Sequence, residues 1–153
     1  MEFIPINIIK YKEAIITFRR DSFIISFGSD KDFPEEEYLN WLQLQSVNNS
    51  KGIVLLVENE RPIGQLELSI KEFEGKKIGY VNLYYLISEK RGMGLGSLLH
   101  DYAINYFKNN HVHEYHLRVS PTNLNAIAFY TKKGMKQIRT EMNGKVLRMF
   151  GII

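Results

Sequence analysis

The segment Tyr84 to Leu99, YYLISEKRGMGLGSLL, restricts the possible folds of this chain more than any other stretch. It links an apolar run with strand character to the start of an amphipathic helix through a loop containing Gly92, Gly94 and Gly96. Glycine tolerates positive φ and has no Cβ, so successive N–H groups in such a loop can converge on one point. The helix behind the loop adds N–H groups with no partner inside the helix and the positive end of its dipole. A strand, a glycine loop and a helix start in that order form a receptor for phosphate or pyrophosphate.

Three nucleotide motifs compete for this segment. A P-loop ends in Gly-Lys-Ser/Thr, whereas Gly96 is followed by Ser97 and Leu98, so the phosphate-gripping lysine is missing. The dinucleotide pattern G-x-G-x-x-G places Ser97 at its third glycine when started at Gly92, and Leu99 when started at Gly94. Glu114 lies at the spacing of the ribose-binding acid, but the hairpins described below conflict with the βαβ crossovers of that fold. R-x-x-G-x-G is met by Arg91, Gly94 and Gly96. By itself this pattern fits a ligand-free glycine turn equally well.

At 153 residues, with 44% hydrophobic and 24% charged content, the chain is expected to form one domain, 1–153, with a sizeable core. A net charge of +3 with acids and bases intermixed offers no basic block for nucleic acid, so no such partner is expected. The absence of cysteine removes disulfides, thiolate metal sites and a cysteine nucleophile. His111, His113 and His116 lack the i, i+4 spacing of a helical zinc pair, and no metal is expected. The apolar N-terminal residues are broken by Glu2, Asn7, Lys10, Lys12 and Glu13, so neither a signal peptide nor a membrane span is expected. Cytoplasmic location is the default.

Phe3 to Ile8 alternates as a short strand. Lys10 to about Phe27 is helix-compatible up to Gly28-Ser29-Asp30, with the β-branched Phe23-Ile24-Ile25 stretch open to partial extension. Asp32 to Glu37 starts a second helix, with Pro34 in its first turn and three glutamates opposing the dipole. Tyr38, Trp41, Leu42 and Gln45 then share a face. Ile53–Val57, Ile63–Ile70 and about Ile78–Ile87 read as three strands with short links, hence antiparallel. Leu95, Leu98, Leu99, Tyr102, Ala103 and Tyr106 follow helical spacing to about Asn109. Tyr115–Ser120 is a strand, and Pro121-Thr122-Asn123 opens a helix ended by Lys132-Lys133-Gly134. Met135–Met142 and Lys145–Phe150 flank Asn143-Gly144 as a hairpin.

This order, β-α-α-β-β-β-α-β-α-β-β, resembles the GNAT superfamily of N-acetyltransferases over essentially the whole chain. The glycine loop Arg91-Gly92-Met93-Gly94-Leu95-Gly96 is joined by a second motif, Asn123, Ala126, Phe129, Tyr130 and Gly134, within NLNAIAFYTKKGM. Ser88 stands where the family often has proline, a departure that affects loop rigidity more than chemistry. The resemblance implies an α/β (α+β) domain with a mixed, mostly antiparallel sheet of about seven strands flanked by about four helices. It also implies acetyl-coenzyme A as cosubstrate. By analogy, the backbone of Tyr84, Tyr85 and Leu86 pairs with the pantetheine amides as an added strand would. Gly92 through Ser97 (Gly92, Met93, Gly94, Leu95, Gly96, Ser97), with Arg91 at the motif's first position, hold the pyrophosphate. Asn123 bonds the pantetheine arm, and Tyr130 lies near the thioester sulfur.

Acetyl transfer to an amine requires a neutral amine, a stabilised oxyanion and a proton for the departing thiolate. The Leu86 N–H is the expected oxyanion donor, and Tyr130 the expected general acid. An aromatic residue beside Ala126 and Phe129 reads first as core; the motif match assigns Tyr130 to the site. Asn123 also reads as a plain helix cap, and the two roles are compatible. A lysine-type amine with pKa near ~10.4 costs about 4–5 kcal/mol to deprotonate at neutral pH, an α-amine near ~8 only about 1. Family members acting on protein N-termini can carry a glutamate five residues before the asparagine. Here that position is Arg118, which cannot act as a base. Glu67 and His116 rank level as candidate bases, with Tyr80 behind them. Each also reads as an ordinary polar residue, and Asn82 could position a water without taking its proton.

The acceptor is expected to meet strand four and the Ser29–Glu37 region. There Asp30, Asp32, Glu35, Glu36 and Glu37 either attract a cationic amine or simply solvate a helix start. The combined expectation is direct acetyl transfer to a primary amine of a small molecule or peptide, with a homodimer left open. The rival is a non-catalytic domain of the same fold that binds coenzyme A as a sensor or interaction module. A nucleic-acid module is a distant third.

Overall fold

The computed structural model describes residues 1–153. Its elements are β1 (Glu2–Pro5), α1 (Ile8–Phe27), α2 (Glu35–Asn48), β2 (Ile53–Glu58), β3 (Arg61–Phe73), β4 (Lys76–Leu86), α3 (Leu95–Asn109), β5 (Glu114–Val119), α4 (Leu124–Lys132), β6 (Lys136–Glu141) and β7 (Val146–Ile152). All seven strands lie in one sheet of order β1-β2-β3-β4-β5-β7-β6. Only the β4–β5 pair is parallel. This is the mixed, mostly antiparallel sheet flanked by four helices that the sequence leads one to expect.

Local chemistry explains the segment boundaries. The Asn7 side chain caps α1 by accepting from the Lys10 N–H at 3.1 Å, which ends the first strand sooner than its alternation suggests. Phe23-Ile24-Ile25 is helical throughout and not extended. Phe23 packs on Phe27 and Phe33, with ring centroids 4.7 and 5.6 Å apart, and this packing outweighs the weak helix preference of the β-branched pair. Pro34 precedes α2 as its cap residue and does not enter the first turn. Asn59 and Glu60 both take positive φ in the turn joining β2 to β3.

The sheet separates two apolar layers. On one face, α3 contributes Leu99, Ala103, Tyr106 and Phe107 against Leu66, Leu68, Val81, Leu117 and Val119. On the other, α1 and α2 contribute Ile15, Phe18, Tyr38 and Leu42 against Leu55, Leu83 and Tyr85. Side chains alternate between faces along a strand, so Arg118 points to the α1/α2 side, between two residues of the α3 layer.

Two features open the middle of the sheet. β4 and β5 pair only over Gly79–Tyr115, Tyr80–His116 and Val81–Leu117, and nothing joins them beyond that point. One residue beyond Val81 on β4, the β3–β4 register slips: Glu67 faces Leu83, but Leu68 faces Val81. Asn82 is therefore the extra residue of a bulge, and its Oδ1 accepts from the Ser69 hydroxyl at 2.8 Å. A bulge bends and twists its strand, and here the bend coincides with the split that creates the cleft.

Candidate active site

The split between β4 and β5 is the mouth of a cleft of about 830 Å³ that crosses the sheet from one helical layer to the other. Its floor is Val81–Leu86 on one side and Leu117–Ser120 on the other. Gly92, Gly94, Gly96 and Ser97 close one end with α4 residues Ala126, Phe129 and Tyr130. Arg19, Ser22, Phe23 and Phe27 of α1 and Met142 and Val146 of the β6–β7 hairpin complete the wall.

The glycine loop has the geometry of an anion cradle. Gly92 and Gly94 take φ of 75° and 81°, a left-handed conformation that any side chain would strain. A Cβ at either position would meet nothing within 4 Å, so the space beside the loop is open. Gly94 is the cap residue of α3 and brings no side chain to the helix start, leaving the first helical N–H groups unpartnered. The Ser97 N–H already turns back to the Gly94 carbonyl, at 3.3 Å. Met93 and Leu95 do not line the cleft. Arg91, the residue before the loop, donates to the Leu86 carbonyl at 2.8 Å and pairs with Asp21 at 3.0 Å. Lys132 and Lys133 line the same end from α4.

Along β4, the Ile87 N–H donates to the Ile63 carbonyl at 2.9 Å. Alternation in an antiparallel ladder then turns the N–H groups of Leu86 and Tyr84 away from β3, to the side that β5 has left. The Tyr85 side chain takes the opposite face, where its hydroxyl donates to Asp21 at 2.6 Å. Burial, and then Asp21, push its pKa up. Tyr84 lines the cleft, but its hydroxyl is buried with no partner in the protein. Tyr130 stands beside it, ring centroids 6.0 Å apart. Burial raises the Tyr130 pKa and keeps its hydroxyl protonated, a donor and not a base. Asn123 caps α4, its Oδ1 accepting from the Ala126 N–H at 3.3 Å, and also lines the cleft.

The expected bases lie elsewhere. Glu67 is fully buried beneath α2, accepting from the Tyr38 hydroxyl and from Gln65 Nε2 at 2.7 Å, and does not reach the cleft. Its position on the helix-facing side of β3, opposite Leu83, puts it inside the second apolar layer. His116 is also fully buried, with Nε2 on Glu114 at 2.6 Å and Nδ1 on Arg148 at 2.9 Å. Burial lowers its pKa against the pull of Glu114, and both ring nitrogens are occupied. Tyr80 lies under Lys71, whose Nζ sits 4.2 Å from the ring centroid, and it too is outside the cleft. These placements leave the candidate bases outside the cleft lining, because alternation put polar residues on a face that helices and arginines cover.

The acidic group before α2 also misses the cleft. Asp30 and Glu35 pair with Arg20 at 3.2 and 3.0 Å, and none of the five acids lines the cavity. The lining contains no aspartate, glutamate or histidine at all, whereas Arg19, Arg91, Arg118, Lys132 and Lys133 are all part of it. Arg19 and the α1 wall have no sequence signature. Arg118 had one, its spacing from Asn123, but that spacing was read only as a missing base.

The class of protein defined by this fold is found among solved structures. The chain superposes on PaiA N-acetyltransferase from Thermoplasma acidophilum in complex with coenzyme A, with a TM-score of 0.80, 21% identity and 99% and 98% of the two chains covered. It superposes on Chaetomium thermophilum Naa20 in complex with a bisubstrate analogue at 0.79, with 15% identity and coverage of 100% and 87%. A third likeness is to ribosomal-protein-alanine N-acetyltransferase from Brucella melitensis, at 0.77, 17% identity and full coverage of both chains. A search of curated protein sequences finds no match. The acetyltransferase (GNAT) family model matches residues 13–135, and the chain belongs to that family.

Proposed function

We propose that this protein is an acetyl-coenzyme A-dependent N-acetyltransferase that transfers the acetyl group directly to a primary amine. The observation that carries the reading is the coincidence of three features in one cleft. They are N–H groups of β4 turned into the split, an open left-handed glycine loop at the start of α3, and Tyr130 between them. The cradle suits a diphosphate, and the split strand edge suits the peptide-like arm of the cosubstrate. The orphaned Tyr84 hydroxyl is a further group that an occupant of the cleft would satisfy.

In this reading the acceptor nitrogen attacks the thioester carbonyl carbon and a C–N bond forms. The carbonyl electron pair moves to an oxygen faced by the Leu86 N–H. As the oxyanion collapses, the C–S bond breaks and sulfur leaves with the bonding pair. Tyr130 donates its hydroxyl hydrogen to that sulfur, and the proton released by nitrogen returns to the tyrosine through solvent. The balance is amine plus thioester giving amide plus thiol. No cysteine is present to carry a covalent intermediate. The test is acetyl-coenzyme A consumption with a panel of amines, for the parent protein and for Tyr130→Phe. A drop in kcat of about 100-fold at unchanged KM for acetyl-coenzyme A is expected for the variant.

One observation favours a second reading, in which the domain binds coenzyme A without turnover. The cleft lining contains no carboxylate or imidazole to accept a proton. Tight coenzyme binding with no turnover of any amine selects that reading.

A further inference from the structure

The positive charge of the cleft has two sources. At the glycine-loop end, Lys132 and Lys133 stand where the cosubstrate's phosphates are proposed to bind. Arg19 and Arg118 line the cleft from the α1/α2 side of the sheet, where Arg91 is already paired with Asp21. Arg19 is half-buried and forms no ion pair. Its guanidinium reaches only the Asn82 carbonyl at 3.5 Å and the Tyr38 ring at 5.3 Å. Arg118 shares the carboxylate of Glu141 with Arg139 and Arg148, and Arg139 also pairs with Glu74, so three guanidinium charges meet two acids. Neighbouring Lys71 registers the surplus. Burial lowers its pKa first, and Arg118 and Arg148 lower it further. Beside this charge the wall is apolar, with Phe27 and Met142 44% and 50% exposed at the rim.

We propose that the acceptor is an amine bearing a carboxylate close to the amino group, held by Arg19 and Arg118, with an apolar side chain against Phe27 and Met142. A free apolar α-amino acid is its simplest form. The inference rests on the acetyltransferase reading and gives the acceptor class at the same site. A cleft lined by cations and by no acid repels diamines and polyamines and draws in a molecule whose anionic group offsets its ammonium. Like charge also disfavours protonation, so the same two arginines lower the acceptor amine's pKa and supply part of what an absent base would do. Planar guanidinium groups suit carboxylate recognition, and Arg19 keeps its donors available for it.

The experiment uses leucine, methionine and phenylalanine, each beside the amine that lacks its carboxylate. 1,4-Diaminobutane and a peptide beginning with aspartate complete the panel. Turnover is measured at saturating acetyl-coenzyme A, and binding by calorimetry in the presence of coenzyme A. At least one amino acid is expected to exceed its matched amine by about tenfold in kcat/KM, the value of a charge-assisted hydrogen bond. Arg118→Gln is expected to raise KM for that amino acid about tenfold while KM for acetyl-coenzyme A stays within about twofold. Better turnover of the peptide than of every amino acid would assign the carboxylate to a side chain and overturn the free amino acid as acceptor. Preference for the matched amines or the diamine, or no discrimination in either measurement, overturns the inference. Discrimination in binding that Arg118→Gln abolishes, without turnover, upholds the carboxylate site and rejects catalysis instead.

Discussion

Tyr130 and Glu67 show how differently two polar side chains can be treated by one fold. Tyr130 reaches the cleft with a hydroxyl that burial keeps protonated. Glu67 ends in a buried group with Tyr38 and Gln65, in which Glu67 Oε1 and Gln65 Oε1 have no partner and the Tyr38 pKa is pushed up first by burial and then by the Glu67 charge. Glu67→Gln should therefore leave kcat within about twofold while destabilising the protein by about 1–2 kcal/mol, since it disturbs buried hydrogen bonds and no reacting atom. Denaturant unfolding and steady-state kinetics on the same preparation separate the two effects. A kcat loss of about 100-fold in a stably folded variant would restore Glu67 as a base. The sequence showed Glu67 as one of three alternating polar residues on β3, a pattern that looks the same whether water or α2 covers that face. The place of Tyr130 in the cleft was legible because a spaced motif, and not its own polarity, singled it out.

At the scale of elements, the loop between β4 and α3 was the most readable part of the chain. Glycines at left-handed positions and a helix spaced from Leu95 onward are local properties, and local properties are written in local sequence. Gly94→Val tests the loop directly. It forces a β-branched residue to φ near 81° and is expected to cost about 1–2 kcal/mol in stability. It should also raise the Kd for acetyl-coenzyme A about tenfold, the loss expected for one N–H bond to a charged oxygen. Unchanged affinity with the expected loss of stability would remove the loop from the binding site. The β4–β5 split was not legible. It depends on the bulge at Asn82 and on where pairing stops, and neither leaves a pattern in β4 or β5 alone. The same holds for Arg19, a cleft residue only because α1 lies across the split.

Across the whole molecule, the half of the sheet not covered by α1 and α2 is held by charge. Glu141 joins β6 to β5 and β7 by accepting from Arg118, Arg139 and Arg148. Burial alone would raise its pKa, but the three arginines outweigh this and bring it from an ordinary 4.5 down to about 2. A depressed folded-state value stabilises the protein in full above the unfolded value, so this contribution is complete above about pH 4.5. It fades as pH falls toward about 2. Glu141→Gln should cost about 3 kcal/mol at neutral pH, because it leaves Arg148 buried beside an uncharged amide. The variant should also lose the part of the acid-induced destabilisation that belongs to this window, as thermal unfolding across pH would show. Fold class and element order were readable at this scale, because hairpin spacing and helical periodicity repeat along the chain. The cationic lining by Arg19 and Arg118 was not, since it comes from α1 and β5, elements separated by most of the sequence.

The central claim is that main-chain N–H groups after β4, and along its split edge, hold the acyl donor. It is tested most directly by following assigned backbone amide resonances as acetyl-coenzyme A is added. The largest shifts are expected at Gly92 through Gly96 and at Tyr84 and Leu86, saturating together. Saturable binding that leaves those amides unmoved, with shifts clustered around Lys71 and Arg148 instead, would contradict it.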